Sequence, residues 1–276
     1  MNPSALPNPC TAQASGGTIA TMRRFQLFEF NDQSWLPGFF RRGTYGFLDA
    51  LSQTAGFHKR MAPIIDDALQ RSGADRIVDL GSGFGGTILD VPAELGRTIP
   101  ITLTDRFPER EALAALAGDD VSVRLEAIDA SDVPDDLTGL RTVINTFHHM
   151  SPETVQGTLQ DAVDHGQPLV MLELSERRWS TVLTSPFIAL AVLFLMPLVR
   201  PMRLSYLFFT YLVPLLPLII FWDGLVSHLR SYTIAELEDF TRRVDATGYD
   251  WSIQRVTMGG GARGTLLVGM PEQKAG

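Results

Sequence analysis

Four glycines in six positions, Gly81, Gly83, Gly85 and Gly86, follow the apolar pair Ile77-Val78 and the acidic Asp79. No other feature limits the fold of this chain as tightly. Glycine tolerates positive φ and lets the backbone approach a ligand where a Cβ collides, so such a run closing a short apolar strand marks a tight turn built around a ligand. The run permits two registers. Gly81, Gly83 and Gly86 keep a G-x-G-x-x-G spacing, whereas Asp79, Gly81, Gly83 and Gly85 keep an acid-x-G-x-G-x-G spacing.

Around this turn, short apolar runs alternate with helical patterns. The strand candidates are Ile77–Leu80, Ile101–Thr104, Val121–Ala127, Thr142–Thr146 and Leu169–Leu174. That alternation predicts a parallel, doubly wound sheet. Thr54–Ser72 reads as a helix, with Met61, Ile64, Ile65 and Leu69 at helical spacing. After a Glu- and Arg-rich helix over Thr233–Thr247 come Asp250–Val256 and Gly264–Met270. Their linker is too short for a helical crossover, so the last pair is predicted antiparallel. The expected fold class is therefore α/β, with a mostly parallel seven-stranded sheet, an antiparallel last strand and a hydrophobic helical insert. We divide the chain into a tail (1–21), an aromatic-rich cap (22–53), a core (54–178), an apolar insert with its return segment (179–232) and the remainder of the core (233–276).

With 276 residues, 45% of them hydrophobic, the chain is long enough for one large α/β core. A net charge of -8 speaks against nucleic acid as a partner. The single cysteine, Cys10, excludes an internal disulfide framework and a cysteine-rich metal site and suits a reducing cytoplasm; no metal is assigned. Residues 1–21 carry no charge and neither the basic start nor the apolar run of a signal peptide. They are expected to be disordered, and Met22 is an alternative start of translation.

Further acids fall at strand ends. Asp105 closes the second strand candidate, roughly twenty residues beyond the glycines, where a carboxylate can accept hydrogen bonds from both hydroxyls of a ribose. Asp129-Ala130 follows the third strand, Phe147-His148-His149 the fourth, and Glu173-Leu174-Ser175 the fifth. With Asp79–Gly85, these give the chain a resemblance, over about Thr54 to Met270, to class I S-adenosylmethionine (SAM)-dependent methyltransferases; the last two resemble the ubiquinone/menaquinone C-methyltransferase branch. The resemblance implies SAM as cofactor, held by Asp79, Gly81, Ser82, Gly83, Gly85, Asp105, Asp129 and Ala130. In that scheme Asp79 lies near the methionine portion and Asp129 receives the adenine amino group. Carboxylates suit a ligand that carries a sulfonium and an ammonium group. Two other readings stay open: an NAD-dependent oxidoreductase, which Asp105 serves equally well, and a non-catalytic SAM- or lipid-binding membrane factor.

The acceptor is expected at the carboxyl ends of strands four and five, by Asn145–His149 and Glu173–Glu176. His148 or His149 is a candidate general base, because imidazole titrates near neutral pH. Methyl transfer is an in-line displacement that alignment alone can accelerate, so the alternative is packing against the adenine side and capping of the next helix.

Beyond Glu173, Trp179–Val199 runs 21 residues and Leu204–Trp222 runs 19 without a charge, separated by Arg200-Pro201-Met202-Arg203. Each matches the roughly 20 residues of a bilayer crossing. A transmembrane hairpin, a hairpin dipping into one leaflet and a soluble lid or dimer contact compete, and the shallow membrane hairpin is the expectation. It predicts a chain at the cytoplasmic face of a membrane, acting on a hydrophobic or lipid acceptor. In the return segment, Asp223, Ser227 and Arg230 share one helical face and, with Glu173, are expected to hold a polar head group. A salt-bridge cluster is the alternative. Trp35, Arg41 and Arg42 are expected to close the pocket from the cap.

Overall fold

The computed structural model describes residues 22–272; the expected tail, with Cys10, lies outside the described residues. The sheet strands are β1 (Ile77–Leu80), β2 (Ile101–Asp105), β3 (Val121–Ala127), β4 (Leu140–Ile144), β5 (Leu169–Glu173), β6 (Tyr249–Thr257) and β7 (Arg263–Pro271). Their order is β3-β2-β1-β4-β5-β7-β6. β1 to β5 are parallel, and β7 enters antiparallel between β5 and β6. The expected fold class is observed, with every strand candidate present and no end moved by more than two residues.

Both faces of the sheet are covered, which is why the four residues of β1 are all buried. On one face, Met61, Ile65 and Leu69 of α2 (Phe57–Ser72) pack on Ile77, Ile101 and Leu103. On the other, Val155 and Leu159 of α5 (Pro152–Asp164) and Leu237 and Phe240 of α10 (Ile234–Arg243) pack on Val78, Leu80 and Met171. Two short helices, α3 (Val91–Leu95) and α4 (Arg110–Ala114), join β1 to β2 and β2 to β3.

The helix expected from Thr54 starts at Phe57. Thr54 and Ala55 instead end α1 (Gly38–Ala55), closed by Gly56 in the left-handed region at φ 68°. A capping box between Thr233 and Glu236 starts α10, which ends at Arg243 rather than Thr247.

The apolar insert departs from two long runs. It folds as α6 (Trp179–Thr184), α7 (Pro186–Leu195), a 3-10 turn at Met196–Leu198, α8 (Leu204–Leu207) continuing through a π turn, and α9 (Leu215–Arg230). Prolines 186, 197 and 214 fall at the breaks, where a missing N–H does least harm. Among the described residues no single helix is long and apolar enough to cross a membrane; Leu204–Leu212 and Leu215–Arg230 reach that length only as a pair bent by 80°.

One side of the insert is buried against the cap. Val192, Met196, Val199, Tyr206, Leu216 and Ile220 interlock with Leu36, Phe40, Phe47 and Ala50. The other side stays open, with Phe194 72%, Leu212 73% and Leu204 83% exposed. An apolar surface all round thus does not rule out a lid: half of it is used against α1. Ahead of α1, residues 22–36 form a strap laid along α9, tied by the Phe25 N–H to the Leu229 carbonyl (3.1 Å) and by the Trp222 indole N–H to the Phe28 carbonyl (2.9 Å).

Candidate functional site

The turn after β1 is built as its glycines require. Gly81, Gly83, Gly85 and Gly86 all have positive φ, at 80°, 55°, 98° and 54°. A Cβ on Gly81 would stand 2.5 Å from Cγ2 of Thr146, and one on Gly85 2.4 Å from Cδ1 of Leu116. The N–H groups of Gly81 and Ser82 both donate to the Thr104 carbonyl, at 3.0 and 2.9 Å, so the loop folds back onto β2.

Two carboxylates frame it. Asp105 accepts the Gly83 N–H on one oxygen (2.8 Å) and the Phe107 N–H on the other (2.7 Å). Each oxygen keeps a lone pair for a further donor. Asp79 is buried and accepts the hydroxyls of Thr142 (2.5 Å) and Ser82 (2.7 Å). Burial pushes its carboxyl up to about 6, against the pull of those two hydroxyls. Asp129 accepts the N–H and hydroxyl of Ser131 and lies 3.3 Å from Arg106; burial is outweighed and its carboxyl stays below the usual range. Ala130 is buried beside it. All eight residues expected to hold the cofactor thus line the carboxyl edge of β1, β2 and β3.

Sequence reasoning missed several neighbours. Tyr45 of α1 stacks on Phe84 with ring centres 4.3 Å apart and lies against Gly83, so the cap covers the loop. Thr142, Thr146 and Arg106 complete the lining. Tyr45 stood among the cap aromatics, but nothing in the spacing distinguishes it from the rings that pack in the cap core.

At the ends of β4 and β5, Asn145 takes φ 53° and its side-chain oxygen accepts the Leu174 N–H at 2.7 Å, locking the two strand ends together. Three residues on, His148 is buried with Nδ1 2.9 Å from Oε2 of Glu173. His149 is half-buried, with Nδ1 3.0 Å from Oδ1 of Asp32. Burial lowers the affinity of the His149 imidazole for its proton, but the bond to Asp32 and the charges of Glu29 and Asp32 prevail and hold it above the ordinary value. The neutral imidazole of His228, from α9, lies close by; burial and the neighbouring His148 push it down to about 4. Neither His148 nor His149 caps the following helix: Ser151 does, accepting the Thr154 N–H at 3.2 Å.

The head-group expectation for the return segment is overturned. Asp223, Ser227 and Arg230 do share a face of α9, but that face is occupied by the chain's own strap. Asp223 accepts the backbone N–H groups of Phe30 (2.6 Å) and Asn31 (3.0 Å). Ser227 donates to Glu29 (3.1 Å), and Arg230 reaches Glu29 (3.1 Å) and Asp32 (2.8 Å). Glu173 is likewise committed to His148. None of the three cap residues takes the expected pocket-closing place: Trp35 is 64% exposed, and Arg42 is exposed. Arg41 instead pairs with Glu109 at 2.5 Å and donates to carbonyls of Gln33 and Leu36, pinning the turn that opens α1.

No family model matches the chain, and no curated protein matches it. Among solved structures, it is similar to the pyocyanin biosynthetic protein PhzM (16% identity, TM-score 0.46, 79% of this chain and 55% of that one). It is also similar to the mitomycin 7-O-methyltransferase MmcR (17% identity, TM-score 0.46, 79% and 54%). A third is the plantazolicin methyltransferase BpumL in complex with SAH (11% identity, TM-score 0.47, 84% and 85%). The chain spans about half the length of the first two. The assignment of fold class rests on the strand order itself.

Proposed function

We propose that the chain is a SAM-dependent methyltransferase acting on a hydrophobic acceptor at a membrane surface. The observation that carries the first part is the glycine turn gripped by Asp105, in a sheet whose seventh strand is antiparallel. A dinucleotide-binding sheet of order 3-2-1-4-5-6 has no such strand, which argues against the NAD reading. The residues fit the cofactor: the turn leaves no Cβ over Gly81 and Gly83, Asp105 retains lone pairs for ribose hydroxyls, and Asp79 offers a buried carboxylate to a cationic ligand. Bound SAM supplies a methyl group on a sulfonium, displaced in line by the acceptor. The chain's own part is alignment and exclusion of water, with Tyr45 and the cap closing over the loop. Where an acceptor must lose a proton, half-buried His149 is better placed to take it than His148, whose ring is enclosed.

The acceptor's apolar character is supported by the insert, which leaves β5 at the acceptor edge and carries exposed Phe187, Phe194, Leu204, Leu212 and Leu218. A groove of 530 Å³ lined by Phe25, Leu27, Trp179, Val182 and Leu229 lies between strap and insert and offers room for an apolar body. The resemblance to quinone C-methyltransferases makes a lipid extract containing quinones the first acceptor mixture to try.

Calorimetry with SAM, then transfer of labelled methyl into that extract, tests the reading. Binding together with a labelled lipid product supports it. Binding with no label from any extract favours the non-catalytic membrane factor, and binding of NAD with indifference to SAM revives the oxidoreductase.

A further inference from the structure

Beside the acceptor edge three side-chain ligand atoms converge. They belong to Glu29, His148 and His149 and all lie within 4.8 Å of one another. Glu29 and His148 are buried. The strap brings the carboxylate, and the turn after β4 brings both imidazoles.

Each imidazole is held from behind. A carboxylate sits on Nδ1 of His148 (Glu173, 2.9 Å) and on Nδ1 of His149 (Asp32, 3.0 Å). Such a partner keeps the proton on Nδ1 and leaves Nε2 a bare lone pair, the arrangement by which carboxylates orient histidine ligands of metals. Nε2 of His148 lies 3.9 Å from Oε1 of Glu29, and Nε2 of His149 lies 3.8 Å from its Oε2. Those separations are too long for hydrogen bonds. They agree with two ligands each roughly 2.0–2.2 Å from one shared ion.

Charge points the same way. Glu29, Asp32 and Glu173 bring three carboxylates to the cluster, and the guanidinium of Arg230 pairs with two of them. Glu29 and Glu173 are buried, and negative charge held away from water in excess of its partners is costly, which a divalent cation offsets. Arg230 and Ser227 both engage Oε1 of Glu29, so the carboxylate is oriented before any ion arrives.

We infer that Glu29, His148 and His149 bind one divalent first-row transition cation of the Zn²⁺ or Co²⁺ type, with Glu173 and Asp32 as positioning residues. Two imidazoles and one carboxylate favour such ions over Mg²⁺ or Ca²⁺. Three protein ligands leave a coordination position open, and the ion ties the strap to the core. The inference does not rest on the methyl-transfer reading, and an ion on Nε2 of His149 would take up the lone pair that imidazole needs to accept a proton.

The test uses the full chain stripped with a chelator and titrated with CoCl₂, followed by visible absorption, and with ZnCl₂ by calorimetry. One equivalent of Co²⁺ with d–d bands of low-coordinate nitrogen and oxygen ligation is expected. Glu29→Gln and His149→Ala should abolish the bands. Glu173→Gln and Asp32→Asn should weaken Zn²⁺ by about 10–100-fold while leaving one site per chain. Circular dichroism of each variant separates lost ligation from lost folding, and half-exposed Asp32 provides the variant least able to disturb the core. Saturating MgCl₂ should not displace Co²⁺. A folded wild type that takes up no Co²⁺ or Zn²⁺ overturns the inference, as does wild-type affinity in folded Asp32→Asn and Glu29→Gln.

Discussion

Asp105 holds the Gly83 N–H at 2.8 Å with one carboxylate oxygen and the Phe107 N–H at 2.7 Å with the other. One side chain therefore shapes the glycine turn and, in the function proposed above, also accepts the ribose hydroxyls of SAM. The two tasks separate in Asp105→Asn, which keeps an acceptor for one N–H but loses the charge. Hydrogen bonds to a charged group contribute about 1.5–3 kcal/mol, so SAM affinity should fall by roughly 10–100-fold in calorimetry. A variant that binds SAM as tightly as wild type removes Asp105 from the cofactor site.

Asp79 makes a pH prediction. Its carboxyl is raised to about 6 by burial, above the 3.8 of an unperturbed Asp. The folded state then holds the proton more tightly than the unfolded state. Stability from this group is complete below about pH 4, is lost as pH rises towards 6, and stays lower beyond by an amount on the order of 2–3 kcal/mol. Asp79→Asn should flatten that dependence, gaining stability over wild type at pH 7.5 and little at pH 4.5 in urea titrations. Affinity for the cationic cofactor should run the opposite way in wild type, weakening as pH drops through 6, because the ionised form is the one a sulfonium prefers.

The contact between Gly81 and Thr146 is steric and can be tested as such. Gly81→Ala places a methyl 2.5 Å from Thr146 Cγ2 at a φ of 80°, a combined cost of about 2–3 kcal/mol. Thr146→Ser removes that methyl and keeps the hydroxyl donated to the Gly81 carbonyl. The double variant should relieve the clash but not the backbone strain, leaving a coupling of about 1 kcal/mol or more in a double-mutant cycle of chemical denaturation.

These predictions mostly concern the part of the chain that was legible in the sequence. Glycine spacing, strand-end acids and the short linker before β7 are local signals, and local signals survive folding intact. The strap was not legible. Arg230 and Asp32 are 198 residues apart, and only the laying of the strap along α9 brings them together. A face carrying Asp223, Ser227 and Arg230 reads the same whether its partner is a ligand or another segment of the chain. The insert was legible only in part for a related reason: hydropathy counts apolar residues but does not show the apolar surface of the cap that covers one side of them.

The strap has its own test. Asp223→Ala leaves the N–H groups of Phe30 and Asn31 without their acceptor, each worth about 1–3 kcal/mol when buried. Amide exchange at Phe30 and Asn31 should quicken by tenfold or more, while amides of β1 and β4 keep their protection. If Asp223 held a substrate head group instead, exchange would be unchanged and only KM would rise.

The proposed membrane association must come from the exposed side of the insert, because the chain's net charge of -8 repels anionic headgroups. Leu204, 83% exposed, and Phe194, 72% exposed, contribute little to the folded core and can be changed without cavities. Each buries about 1.5–3 kcal/mol of apolar surface when fully inserted. Phe194→Asp with Leu204→Asp should therefore cut co-sedimentation with phosphatidylcholine vesicles by at least 100-fold and leave SAM affinity unchanged. Binding driven by apolar insertion should also persist at high salt, where an electrostatic attachment is screened within a few ångströms. A wild type that stays in the supernatant with vesicles at every salt concentration rejects the membrane surface and leaves these side chains to a second protein or to the acceptor itself.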